Sequence, residues 1–448
     1  MTALAGDYAR ALLTDIGAQS AQIAPFPAQH PAVSWALSGA MALTGWPDQP
    51  PRMCAAPLAA CGDGVLLALT SISEHPLPAE LTGSKLLGER AAIAGYGRQG
   101  AVSAGGSCRF LQAADGWIAL NLARPEDWDM VPALIGRDIE HDWSLLSAAV
   151  RTLSADQMVA QGGDLGLPIA HHRFPGEGRP WFEIVREPPS TAPTHRAHRP
   201  LVVDLSSLWA GPLCGHLLHL IGARVIKVES ASRPDGARQG PAAFFDLMNG
   251  GKESVALDFA NTAGQAQLRG LVAQADIVIE GSRPRALRQL GIWAEDLVLE
   301  KPGLTWVGIT GYGRTGDATD WVAYGDDAAV AAGLSALITG PDEAPIFCSD
   351  AIGDPLAGMH AALVAWHRWR SGAGGLVSIA LHDIVSHCIA FGGPLMPASA
   401  ADRRLTWQQV LDRQGVIAAR PQARTAYCSA RALGADNAAI FAEFDLPC

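Results

Sequence analysis

Charge is scarce in this chain: 17% of its residues are Asp, Glu, Lys or Arg, against 49% that are hydrophobic. Even so, no uninterrupted apolar run reaches the ~18 residues of a spanning helix, so no membrane partner is expected. Basic residues are the scarcer sign, 33 against 44 acidic, and the net charge of −11 argues against nucleic acid as the main partner. The eight cysteines form no C-x-x-C pair and no His/Cys cluster at zinc spacing. Free thiols in a reducing cytoplasm are therefore expected. The stretch Met1 to Gly17 lacks a basic region before an apolar core and carries Asp7 and Asp15, so it does not read as a signal peptide. Gly and Pro are frequent but dispersed, which excludes a low-complexity chain. With 448 residues, two or three domains and a large core are expected.

Residues 1–85 read as short helices and loops, with a helical pattern from Tyr8 ending at Gly17-Ala18. Residues 86–185 read as a small α+β domain. Its hairpin runs through Ser107–Gln112 and Gly116–Leu120, and helices are expected at Glu126–Leu134 and Ser154–Gln161. Residues 186–200, rich in Pro, Arg and His, read as a linker. From 201 to 395 strands alternate with helices: Leu201–Leu205, Arg224–Glu229, Asp276–Glu280, Leu304–Thr310 and Leu376–Ala380 are apolar strand patterns. That alternation predicts βαβ units, a doubly wound parallel sheet and an α/β fold class. Residues 396–448 form a C-terminal tail.

One stretch carries a candidate reactive group. Ile352-Gly353-Asp354-Pro355 precedes Leu356, Met359, Leu363 and Trp366, spaced as one helix face. Pro355 suits a first helical position, which places Asp354 at the N-cap, beside unpaired N–H groups. On these residues alone Asp354 reads as a cap or as a reactive carboxylate in a loop feeding a helix. In α/β sheets ligands bind at such places.

The chain also repeats itself. Leu12–Ala18 matches Leu217–Ala223, and Thr44–Asp48 matches Thr339–Asp342 with one insertion. The second register pairs Cys54 with Cys348, Ala60 with Asp354 and Gly64 with Gly358. Residues 1–85 thus read as a degenerate copy that lacks the carboxylate.

From about 200 to 390, several motifs occur in one order. They are Val203-Asp204-Leu205 with Ala210-Gly211-Pro212, Gly222–Glu229, Asn249–Lys252 with Leu257-Asp258, Ala275–Glu280, Gly311–Gly316 and Gly353-Asp354. In this order they resemble the class III CoA-transferases, which include formyl-CoA:oxalate and carnitine CoA-transferases and α-methylacyl-CoA racemase. Asp115-Gly116-Trp117-Ile118 and Trp128 resemble that family's small domain, which here precedes the nucleotide-binding part instead of following it. Leu433–Asn437 resembles its C-terminal end.

The resemblance implies a Rossmann-like CoA-binding domain, a homodimer, and CoA, an acyl-CoA and a carboxylic acid as ligands. It implies coenzyme contacts at Trp209 and Ala210, at Lys227, Ser230 and Arg233, and at Leu257. Further contacts are implied at Gly281, Ser282, Arg283 and Arg288, and at Tyr324. Three positions depart from the family: Trp209 stands where the oxalate enzyme has Gln, Ser230 where Arg is frequent, and Gly281-Ser282 where Asn-Phe or Asn-Tyr is usual.

By the same resemblance Asp354 is the catalytic nucleophile, passing through an aspartyl anhydride and an aspartyl-CoA thioester, with no metal required. A carboxylate ionised at neutral pH suits this task without a partner base. The racemase branch needs a histidine upstream, and that position falls at Asp326. A solvated Asp does not exchange protons near pH 7 as His does, which ranks racemase below transferase. His360, one turn after Asp354, is a substitute base or, more simply, a packing residue. A catalytically inactive CoA-binding homologue is the third reading, against which the retained Asp354 argues.

Overall fold

The computed structural model describes residues 4–19, 21–189, 198–340 and 342–446. The centre of the expected 186–200 linker, residues 190–197, lies outside the described residues. So do residues 1–3, Ser20, Pro341 and residues 447–448.

Two sheets are present among the described residues. The smaller is antiparallel: β1 (Cys108–Gln112), β2 (Trp117–Asn121) and β3 (Ile169–His171). Helices Pro125–Ile135, Trp143–Val150 and Ala155–Asp164 close its own core. The larger sheet has seven strands: β4 (Glu183–Arg186), β5 (Leu201–Asp204), β6 (Arg224–Ser230), β7 (Glu253–Leu257), β8 (Ile277–Glu280), β9 (Thr305–Thr310) and β10 (Gly375–Ala380).

Its order is β4-β10-β9-β8-β5-β6-β7, all parallel except β4 against β10. Numbered by chain order, the parallel strands run 3-2-1-4-5-6 from β7 to β10, the Rossmann arrangement, in which direction reverses between β5 and β8. Successive side chains alternate between faces: Val202 joins one core and Val203 the other. The α/β class is thus a mixed sheet with helices on both faces plus a small antiparallel sheet. The sequence pattern does not anticipate β3, β4 or β7. β3 has only three residues, β4 is a half-exposed edge strand, and β7 interleaves Ser and Ala with its larger side chains.

One face of the large sheet is covered by residues from both ends of the chain. Tyr8, Leu12, Trp35, Leu58 and Leu69 share a buried cluster with Leu213, Leu356, Leu363 and Trp366. Each such large side chain contributes roughly 1.5–3 kcal/mol by its burial, so this face alone is comparable to a domain's net stability.

Within that layer two helix pairs stand in equivalent places. The helix Ala5–Asp15 corresponds to Ala210–Leu220 in the Leu12/Leu217 register, and Leu58–Ile72 to the start of Gly353–Arg370. A methyl group on Gly64 would lie 2.6 Å from the Ala5 carbonyl and 2.9 Å from Tyr8 Cβ. One on Gly358 would lie 2.5 Å from the Ala210 carbonyl and 3.1 Å from Leu213 Cβ. Only glycine lets either helix approach its partner's backbone so closely. Cys54 and Cys348, paired by the repeat, are both buried in the same core cluster.

The tail closes the far edge. Asp436 and Asn437 bond the backbone of β7 at Ser254 and Ala256, covering an edge otherwise open to pairing.

Candidate active site

The segment leading to Asp354 is a strained turn. Ser349 (φ 60°) and Ala351 (φ 41°) both sit in the left-handed region without being glycine. Such residues persist only where surrounding contacts enforce them, and they gather at functional sites. Here the N-terminal part does the enforcing: Ser349 N–H donates to Thr44 Oγ1 (3.0 Å) and Ser349 Oγ to the Leu87 carbonyl (3.0 Å).

The following helix spans Gly353–Arg370, so Asp354 is its second residue and not its N-cap, and Pro355 is third and not first. Ile352 already has helical angles, which starts the helix early. Pro355 still fits, since first-turn N–H groups have no helical partner. Asp354 Oδ2 accepts from Gly325 N–H (3.2 Å), the first residue of the helix Gly325–Ala331. The carboxylate thus lies at two helix starts, where backbone N–H groups and both dipoles favour negative charge. A Cβ on Gly325 would lie 2.2 Å from the Ala351 carbonyl and 2.7 Å from Asp354 Oδ2. Glycine there is what lets the two helix starts meet.

Three more carboxylates surround this point. Asp326 Oδ1 accepts from Ala351 N–H (2.9 Å). Asp327 accepts from Asn121 Nδ2 (3.1 Å) and Tyr324 N–H (3.1 Å). Asp350, fully buried, takes the fork of Arg90, with Nε to Oδ2 at 2.8 Å and Nη2 to Oδ1 at 2.5 Å.

Burial pushes Asp354 up to about 6, with Arg90 and the Gly325 bond opposing and Asp350 adding to the rise. Burial and the Asp350 charge push Asp326 to about 7. Burial pushes Asp327 to about 8 against its Asn121 bond. Asp326 is therefore not the solvated carboxylate expected from the sequence; it is buried and exchanges a proton near neutral pH. His360 is a packing residue: fully buried, it bonds Tyr8 Oη (2.8 Å) and the Leu356 carbonyl (2.7 Å), and burial drives it down to about 3.

The coenzyme positions divide into two groups. Lys227 and Leu257 point into the fold. Lys227 is 1% exposed and its Nζ pairs with Asp235 Oδ2 (2.9 Å) and the Ser206 carbonyl (2.9 Å). Leu257 is 1% exposed in the core under β7. Arg288 is taken by Glu295 (2.8 Å) and lies over Trp293.

The others follow the carboxyl ends of β5, β6 and β8, on or beside the switch point, except Tyr324, which lies after β9. Trp209 and Ala210 open the helix after β5, preceded by the strained Leu208 (φ 70°). Trp209 Nε1 is buried without a partner among the described residues. Ser230 ends β6, with Arg233 N–H on its Oγ (3.3 Å). Gly281, Ser282 and Arg283 follow β8, and Tyr324 caps the helix Gly325–Ala331.

Arg233 and Arg283 have no ion pair among the described residues. Burial, with Arg285, Arg124 and Arg233 nearby, pulls Arg283 below its ordinary range. Such a concentration of positive charge suits phosphate groups. The sequence pattern gives no sign of Arg90 or Arg124, which lie far along the chain in parts outside the Rossmann unit.

A profile of CoA-transferase family III matches residues 200–428, just over half of the chain. The chain belongs to this family. The match includes every parallel strand of the large sheet and Asp354, but not Arg90. Among curated relatives, the succinyl-CoA–D-citramalate CoA-transferase of Chloroflexus aurantiacus is 35% identical over 205 residues, 42% of this chain and 51% of that protein. The succinate–glutarate CoA-transferase of Agrobacterium fabrum is 33% identical over 208 residues, 42% and 52%. The formyl-CoA:oxalate CoA-transferase of Escherichia coli O6:H1 is 30% identical over 235 residues, 49% and 53%. The chain spans about half the length of these relatives. A solved CAIB/BAIF family protein from Brucella suis is 33% identical over 42% of this chain and 53% of its own, with a TM-score of 0.39.

Proposed function

We propose that this family III chain transfers CoA between an acyl-CoA and a carboxylic acid, with Asp354 as nucleophile. The observation that supports it most is the Asp354 carboxylate, bonded to Gly325 N–H where two helix starts meet, in the part matched by the family profile. An Asp354 oxygen attacks the thioester carbonyl; the C–S bond breaks and CoA leaves as thiolate, giving a mixed anhydride. Thiolate then attacks the aspartyl carbonyl, releasing the first acid as carboxylate and forming an aspartyl-CoA thioester. The acceptor carboxylate attacks that thioester and frees thiolate again. Thiolate attacks the acceptor's acyl carbon, and Asp354 is restored. N–H groups at the two helix starts favour each oxyanion. In this reading Arg233 and Arg283 meet the coenzyme's phosphates, with Trp209, Ala210, Ser230, Gly281, Ser282 and Tyr324 around it. The proposal includes a cytoplasmic location and the homodimer that the family resemblance implies.

A second reading has one observation in its favour. Asp326 and Asp354 both take up protons near neutrality, so a racemase-like proton exchange at an α-carbon has two candidate groups.

The test incubates the protein with a panel of acyl-CoAs and hydroxylamine, followed by mass spectrometry of the Asp354 peptide. A hydroxamate on Asp354 supports transfer. Deuterium exchange at the α-carbon with no adduct favours the racemase. Coenzyme binding with neither result favours an inactive homologue.

A further inference from the structure

Arg90 lies outside the family match, on the short N-terminal helix Glu89–Ala94. Two of its nitrogens fork onto Asp350, and its guanidinium carbon lies 5.1 Å over the Trp209 ring. Asp350 is wholly buried, whereas 30% of the Arg90 side chain is exposed. Asp326, Asp350 and Asp354 converge here, and among the described residues Arg90 is the one cation bonded to any of them. Like charges crowded in one site cannot all ionise, and an opposite charge within a few ångströms restores ionisation. These same carboxylates hold the Arg90 guanidinium firmly charged.

We propose that Arg90 is a positioning residue, supplied by the N-terminal part, that keeps Asp354 ionised and ready to attack. This rests on the nucleophile reading above. It gives the part of the chain without a matching carboxylate a task in the site of the other part. Arg90 fixes Asp350 while Thr44 and Leu87 fix Ser349, so three N-terminal residues hold the turn that delivers Asp354.

The groups around Asp354 are Arg90, Asp350, Asp326 and Tyr324; Asp327 beside them turns to Asn121 and the Tyr324 N–H. Helices packed on Gly353–Arg370 carry others that bond elsewhere: Asp63 to Ser84 N–H, His216 to Arg424, His382 to Asp383. Arg90 draws the Asp354 carboxyl down and Asp350 pushes it up.

The test titrates Asp354 without requiring turnover. Protein labelled with isotopic aspartate is followed by infrared spectroscopy across pH, each variant compared with the same variant carrying Asp354→Asn. In Arg90→Met the Asp354 midpoint rises by roughly 1–3 pH units. In Arg90→Lys, which keeps the charge and loses the fork, it stays near the wild-type value. An unmoved midpoint in Arg90→Met, or a Lys variant that shifts as far as Met, overturns the proposal. If Arg90→Met alone does not fold because Asp350 is left buried and unpaired, Arg90→Met is combined with Asp350→Asn. The midpoint then still rises, by less, and one at or below wild type overturns the proposal. Failure of the nucleophile reading shows separately, as no acyl adduct on an Asp354 whose titration still answers to Arg90.

Discussion

Replacing Asp354 with Asn separates a nucleophile from a structural carboxylate, and it also reports the energy stored in the site. Burial lifts Asp354 to about 6, from an ordinary value near 4. A difference of about 2 units corresponds to ~3 kcal/mol at most. Asp354 is only half-buried, and solvent screening reduces this to about 1–2 kcal/mol. The folded state holds the proton more tightly than the unfolded state. Stability from this group is therefore complete below about pH 4 and is lost as pH rises through about 6. At neutral pH the wild type carries the whole penalty, and Asn carries none.

Asn keeps an oxygen for the Gly325 N–H, although a neutral acceptor is weaker by about 0.5–1 kcal/mol. The expected net is a protein about 1 kcal/mol more stable than wild type near pH 7, with the advantage gone near pH 4. Denaturant unfolding at the two pH values measures this. In the same protein CoA transfer is abolished and CoA binding, read by calorimetry, is largely intact. Asp354→Asn with near-normal turnover would refute the mechanism and direct attention to Asp326 and Asp350. An Asn protein less stable than wild type near pH 7 would refute the buried-charge reasoning.

Four further outcomes are expected. Gly64→Ala and Gly358→Ala each force a methyl group into a backbone carbonyl, at 2.6 and 2.5 Å. Each costs about 1–3 kcal/mol in denaturant unfolding; a neutral Gly64→Ala would mean that the N-terminal helix pair is not tightly held. Arg233→Ala and Arg283→Ala each weaken CoA binding by about tenfold or more in calorimetry, the size of a charge-assisted hydrogen bond. Lys227→Met instead leaves Asp235 buried and unpaired, costing about 3–5 kcal/mol of stability, with the affinity of the folded protein unchanged. A fragment of residues 200–448 exposes the face that covers Tyr8, Leu12 and Trp35 and aggregates in size-exclusion chromatography; a soluble monomer as stable as the whole chain would contradict this.

Some of this protein is written in local sequence. β5, β6, β8, β9 and β10 are legible because strands buried on both faces become short, nearly continuous apolar runs. The glycine, aspartate and proline before an apolar helix mark Asp354, since backbone geometry and helix dipoles act over a few residues. The matched glycines at 64 and 358 point to one helix pair used twice.

Tertiary structure decided the rest. Asp326 reads as a solvated acid, but its proton affinity depends on burial and on Asp350, which the packing of other segments supplies. The family resemblance makes Lys227 a coenzyme contact; strand alternation and the buried Asp235 turn it inward. β4 and β7 lack strong patterns and take their places from their neighbours. Arg90 meets Asp350 across 260 residues of sequence. No local rule encodes such a pair, because its energy comes from a fork onto a buried carboxylate that exists only after both parts of the chain have packed on the same sheet.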